Sequence, residues 1–93
     1  MGRNKKHRRC RFLNEKKVFK PIGIPITDLP TIEIETDEFE AMRLCDIENK
    51  NQIEAAEAMK ISRGTIQRLL QSGRYKLTRA ILNNNAIIIK NNI

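Results

Sequence analysis

Gln52-Ile53-Glu54-Ala55-Ala56-Glu57-Ala58-Met59-Lys60-Ile61-Ser62-Arg63-Gly64-Thr65-Ile66-Gln67-Arg68-Leu69-Leu70-Gln71 is the stretch that decides the fold. It reads as two helices joined by a short turn. Asn51 can cap the first helix, and Glu54, three residues on, can reach back to it in the spacing of a capping box. Ser62 is a fresh N-cap for the second helix, which starts at Arg63. Where two such helices cross, a small side chain is needed, and Ala56 supplies it. Ile61 is placed to close the turn, and Ile66 and Leu69 form an apolar inner face. Ile53, Ala56 and Met59 are expected to face inward, with Ala55 and Ala58 free for close approach. The turn needs a residue with positive φ, usually glycine, and Lys60 occupies that place. A side chain in the left-handed region costs about 1 kcal/mol.

Outward from this core, Thr36 or Asp37 can cap a preceding helix, with Asp37, Glu38 and Glu40 favouring its positive end. Phe39, Ala41, Met42, Leu44, Cys45 and Ile47 cover more than one face of it, and it should stop near Glu48-Asn49. After Gln71 the helical pattern runs on through Leu77 and Ala80 to about Leu82, with room for a bend or break near Gly73-Arg74. Pro21 and Pro25 make an interior strand unlikely in the Val18–Ile26 region, which reads as extended chain with turns. Ile32-Glu33-Ile34-Glu35 alternates with period two, as a short half-buried strand does, and Ile87-Ile88-Ile89-Lys90 is β-branched. A two- or three-stranded sheet joining the chain ends follows. The expected class is mainly α: a trihelical helix-turn-helix core (helices about 37–49, 52–59 and 63–82), short β segments near both chain ends (32–35 and 86–90) and a flexible basic N-terminal arm (1–11).

Charge divides the 93 residues into three blocks. Residues 1–20 carry nine Lys or Arg and one acid, residues 21–57 two bases and ten acids, and residues 58–93 seven bases and no acid. Two cationic blocks around an acidic one suggest surfaces that meet a polyanion; the plain alternative is a basic tail on an ordinary domain. No apolar run approaches the ~20 residues that span a bilayer. The basic start leads into Phe12-Leu13-Asn14-Glu15 rather than the apolar stretch of a secretory signal, and two cysteines make no disulfide framework. An intracellular, cytoplasmic chain with no membrane association is the expectation.

The second helix of the pair would present Arg63, Gly64, Thr65, Gln67, Arg68 and Gln71 outward, next to Ser62 and Lys60. Arg63 and Arg68 can pair with guanine or neutralise phosphates, Gln67 can read adenine, and Thr65 can touch a phosphate or a thymine methyl. Gly64 is either a point of close backbone approach or a tolerated weak helix former. The arm adds Arg3, Lys5, Lys6, Arg8, Arg9 and Arg11 as phosphate contacts. The expected partner is double-stranded DNA, read by a dimer whose reading helices lie about 34 Å apart or a multiple of that. The bland alternative is a three-helix core with solvent-facing polar residues. An RNA-binding module has little aromatic platform to use, with Phe12, Phe19, Phe39 and Tyr75 alone. A protein-interaction adaptor would use the acidic 33–57 region and the Met42/Leu44 surface.

The arm, Phe19-Lys20-Pro21-Ile22-Gly23-Ile24-Pro25, Thr36-Asp37-Glu38-Phe39-Glu40-Ala41-Met42-Arg43-Leu44, Glu54-Ala55-Ala56-Glu57-Ala58-Met59 and Ile61-Ser62-Arg63 together resemble a family of short bacterial and archaeal proteins. Those are uncharacterised, predicted DNA-binding proteins whose helix-turn-helix is similar to the promoter-reading last domain of bacterial sigma factors. The resemblance covers nearly the whole chain and implies a sigma-like or winged-helix-like DNA-binding domain, with Arg63, Thr65, Gln67 and Arg68 at the groove or backbone and transcription machinery as a further partner. Lys60 stands where these relatives usually carry glycine.

Other chemistry finds few residues. His7 and Cys10 are spaced like half a metal site, but tetrahedral zinc needs four ligands and only Cys45 remains, expected as a small buried hydrophobe. Cys10, among cations, is a candidate reactive thiol. There is no phosphate-cradling glycine loop and no nucleophile paired with a base. Neither enzyme activity, cofactor nor metal is expected. The carboxylates Glu33, Glu35, Asp37 and Glu38 read as strand surface and helix-end charge.

Overall fold

The computed structural model describes residues 16–90. Its last strand in sequence is its middle strand in space. β3 (Ala86–Lys90) pairs antiparallel with β1 (Lys16–Phe19), from Lys16↔Lys90 to Phe19↔Ile87, and parallel with β2 (Thr31–Ile34), from Thr31↔Ala86 to Ile34↔Ile89. A parallel pair cannot be joined by a hairpin. The helices between Thr36 and Leu82 supply the long connection that brings the chain back. Pro21 follows β1, which lies at a sheet edge where a missing donor does no harm. β2 begins and ends one residue earlier than the alternation indicates, and Glu35 instead stands at the N-cap of the next helix.

That helix, α1 (Thr36–Met42), is capped by Glu35 rather than by Thr36 or Asp37. Glu38 Oε1 accepts from the Glu35 amide at 2.9 Å, and the Glu38 amide donates to Asp37 Oδ1 at 2.8 Å, so Asp37 still satisfies one amide of the first turn. Glutamate is a rare cap, so the local pattern favours its neighbours. α1 then widens into a π turn over Arg43–Ile47, and the Glu48 amide donates back to the Arg43 carbonyl at 3.1 Å. Asn49, with φ 60°, ends it, and Lys50 N–H donates to the Leu44 carbonyl. Ala41, Met42 and Leu44 are buried, Phe39 and Cys45 pack half-buried against the core, and Ile47 is exposed. Cys45 is thus a partly covered free thiol rather than a fully buried one.

α2 (Gln52–Met59) carries the anticipated capping box between Asn51 and Glu54. Its inner face is corrected by the structure. Ala55 and Ala56 are buried, while Ile53 is 58% exposed and Ala58 lies in solvent. Ala56 faces inward and Met59 packs half-buried against the core, as expected, so the correction is confined to Ile53, whose place on the inner side Ala55 takes. Two adjacent alanines allow α2 to approach its neighbours closely, and a larger side chain at that contact would hold it off.

α3 (Arg63–Leu82) is one continuous helix of 20 residues, ~30 Å long. No bend or break occurs at Gly73. Glycine is there for room instead: a Cβ would lie 3.1 Å from Met42 Cε and 3.3 Å from Glu38 Cβ. Ile66, Leu70 and Ala80 join Ile34, Ile87 and Ile89 of the sheet and the buried residues of α1 and α2 in one core. The observed class is therefore mainly helical, a trihelical core with short strands near both ends of the chain. No helix among the described residues is long and apolar enough to cross a membrane.

Candidate functional site

The turn between α2 and α3 is built as the spacing demands. Lys60 ends α2 in the left-handed region (φ 59°, ψ 44°), its amide bonding back into the last turn. Ile61 N–H donates to the Ala56 carbonyl at 3.0 Å, and the Ile61 side chain packs half-buried against the core. Ser62 Oγ accepts from the Thr65 amide at 3.1 Å, so α3 starts abruptly with a free amide edge partly satisfied.

From that cap, the first half of α3 shows two faces. Ile66 and Leu70 are buried. Arg63, Gly64, Gln67, Arg68 and Gln71 are exposed, as are Ser62 and Lys60. Thr65 is half-buried, and its hydroxyl is engaged within the molecule, 2.9 Å from Ser62 Oγ and accepting from Arg68 Nη2 at 3.3 Å. The Ser62–Thr65–Arg68 chain holds the guanidinium along the helix rather than leaving it to wander. Packing does not require glycine at position 64, where a Cβ would meet only Arg68 Nη1 at 3.9 Å and Ser62 Oγ at 4.0 Å. Arg3, Lys5, Lys6, Arg8, Arg9, Arg11, His7 and Cys10 lie outside the described residues.

Several residues near this face escape a reading by motif. Gln67, Gln71, Arg74 and Thr78 follow one another at helical steps and line an open cavity of about 620 Å³ with Gln52, Leu70 and Tyr75. Their spacing was visible in the sequence, but a motif template ends at Gln71. Arg74 donates to Asp46 of the π turn, Nη2 to Oδ1 at 2.6 Å and Nε to Oδ2 at 3.3 Å. Those bonds hold its pKa above the ordinary arginine value. Arg79 donates to the Tyr75 hydroxyl at 2.9 Å, with its guanidinium 5.9 Å from the ring centre.

Glu38 lies in the first turn of α1, as the helix-end reading has it, but it is buried as well. It is 5% exposed, and it accepts from Ser72 Oγ and, at 2.9 Å, from Lys76 Nζ. Burial pushes its pKa up. The hydrogen bonds from Ser72, the Glu35 amide and Lys76, with the Lys76 charge, outweigh burial and leave it below the ordinary carboxylate value. This carboxylate joins α1 to the second half of α3. Asp37 and Glu33 remain on the surface as expected. Among the described residues no group of three or more His, Cys, Asp or Glu side chains is placed to hold a metal ion.

Comparison with known proteins sets this geometry in a family. The chain is 40% identical over 87 residues to a UPF0251 protein of Halothermothrix orenii, which covers 94% of this chain and 64% of the relative. It is 41% identical over 90 residues to one from Desulforudis audaxviator (97% and 59%). A third, from Shewanella halifaxensis, is 40% identical over 93 residues and matches nearly end to end (100% and 97%). The chain thus spans about three fifths of the length of the first two relatives. No solved structure matches it. Residues 1–92 match the family described as "Protein of unknown function DUF134", and the chain belongs to that family, UPF0251.

Proposed function

We propose that this protein binds double-stranded DNA sequence-specifically, with the first half of α3 in the major groove, as a cytoplasmic transcriptional regulator. The observation that carries the reading is the first half of α3 itself. Its inner side is sealed by Ile66 and Leu70, and its outer side offers Arg63, Gly64, Gln67, Arg68 and Gln71 to solvent. From Lys60 to the end of the chain no acidic side chain occurs, so the helix carrying that face opposes no phosphate with a charge of its own. Two arginines and two glutamines on exposed helical steps are donors and acceptors of the kind that read base edges. The Ser62–Thr65 link presets Arg68, which lowers the ordering cost of a bidentate contact. Gly64, free of any packing need, suits close approach of a phosphate. The chain acts as a pair in this reading, and the arm residues Arg3, Lys5, Lys6, Arg8, Arg9 and Arg11 follow the phosphates. Its helix-turn-helix then works as the last domain of sigma factors does.

The test is selection from a random pool of duplexes with the full chain, followed by titration of the selected duplex. An enriched motif is expected, and Arg68→Ala should weaken its binding by about 1–3 kcal/mol while leaving the melting temperature nearly unchanged. No enrichment, or an Arg68→Ala protein that binds like wild type, overturns the reading.

A further inference from the structure

Although the chain has no acidic residue beyond Lys60, carboxylates from earlier elements reach α3. Among the described residues there are two. Glu38, buried, meets Ser72 and Lys76 on the inner side of the helix. Asp46 meets Arg74 on its flank, where the two side chains are 47% and 51% exposed. An exposed pair, even a bidentate one, contributes no more than about 1 kcal/mol to stability. It also places a negative charge beside a surface read here as DNA-binding, where it repels phosphate. A contact that stabilises little and opposes the ligand calls for another role.

Position supplies one. Gln67, Gln71 and Arg74 lie on one stripe of α3 and line the same open cavity. Arg74 sits one turn beyond Gln71, ~4.5 Å along the axis. A duplex seated on Gln67 and Gln71 brings its phosphate backbone past the next turn. Phosphate and carboxylate both satisfy a guanidinium with two parallel hydrogen bonds, so they compete for the same side chain. The π turn over Arg43–Ile47 is what delivers Asp46 to that point.

We propose that Asp46 is an electrostatic latch on Arg74: it neutralises the guanidinium beside the reading stripe until a well-seated duplex supplies a phosphate that draws it away. Arg74 is then a conditional phosphate contact, and Asp46 raises specificity by suppressing attachment to unmatched DNA. The proposal rests on the DNA-binding reading above.

The test uses the full chain, the selected duplex and a scrambled duplex, each titrated over a range of salt concentrations with wild type, Asp46→Asn, Arg74→Gln and the double variant. Asp46→Asn should tighten binding of the scrambled duplex about fivefold, roughly one ion pair's worth, and steepen its log–log salt slope by about 0.9, the value of one added phosphate contact. The selected duplex should gain less, so the ratio of affinities falls. Arg74→Gln alone should bind the scrambled duplex much as wild type does, and the double variant should lose the gain of Asp46→Asn. Two results overturn the latch: no change in affinity or slope with Asp46→Asn, or a gain that survives in the double variant and so belongs to the Asp46 charge alone. Thermal melts of each variant confirm that the fold is intact. If wild type binds neither duplex, the DNA-binding reading fails and takes the latch with it. If wild type discriminates the duplexes and the variants follow it unchanged, only the latch fails.

Discussion

The two halves of α3 have the same secondary structure and similar burial, and differ in what holds them. From Gly73 onward the helix is held: Gly73 lies against Met42, Lys76 is tied to Glu38, and Ala80 is buried. Up to Gln71 it is held by apolar packing, through buried Ile66 and Leu70, and the rest carries polar groups into solvent. The difference teaches that the outward face at the start of α3 rests on the apolar packing beneath it, whereas the far half is tied to α1 by a buried carboxylate as well.

The sharpest way to break the contrast is to compare neighbours. Ile66→Ala should cost about 3 kcal/mol, and Gln67→Ala no more than about 0.5 kcal/mol, in chemical denaturation. Equal losses would mean that the outer face is not free. Next in size is the anchor. Glu38→Ala should cost about 2–3 kcal/mol, because it leaves Ser72 and Lys76 without their partner. Its pH signature has a definite sign. The folded pKa of Glu38 lies below the ordinary 4.5, so the unfolded chain takes up the proton first as pH falls. The stabilisation is present above about pH 4.5 and is lost as pH drops through the folded value. Wild type should therefore lose stability with acid more steeply than Glu38→Ala, as melts across that range would reveal. The smallest effects come from backbone preference at the presented end. Gly64→Ala and Lys60→Gly should each stabilise by up to about 1 kcal/mol, the first by helix propensity and the second by relieving the left-handed side chain. A melting temperature lowered by Lys60→Gly would contradict the role of that turn.

The features legible in the sequence are those governed by short-range chemistry. Ser62 and the Asn51–Glu54 pair announce helix starts because a cap and its amide are three residues apart. Lys60 was placed in the left-handed region by its distance from Ile61 and Ser62 alone, and its φ of 59° agrees. What was not legible depends on distant partners. Glu38 looks like ordinary helix-end charge until Ser72 and Lys76 are brought to it from the other side of the molecule. Gly73 looks like a weak point until Met42 fills the space above it. The spacing of Ile53 from Ala56 and Met59 places it inward, whereas the structure buries Ala55 beside Ala56 and leaves Ile53 exposed. In the candidate site, the exposure of Arg63, Gly64, Gln67, Arg68 and Gln71 follows from periodicity, whereas Thr65, also expected outward, is half-buried with its hydroxyl bonded to Ser62 and Arg68. The pairing of Asp46 with Arg74 does not, since it depends on a π turn that no pattern of apolar residues encodes.

The order of the sheet carries a consequence for biosynthesis. Neither β1 nor β2 has a strand to pair with until the segment around Ala86–Lys90 has emerged from the ribosome, because that segment joins both. The nascent chain holds helices before it holds a sheet. Translation stalled just short of Ala86 would release a product with two orphan strands and an open flank, a form that quality-control proteases can distinguish at once from the finished molecule.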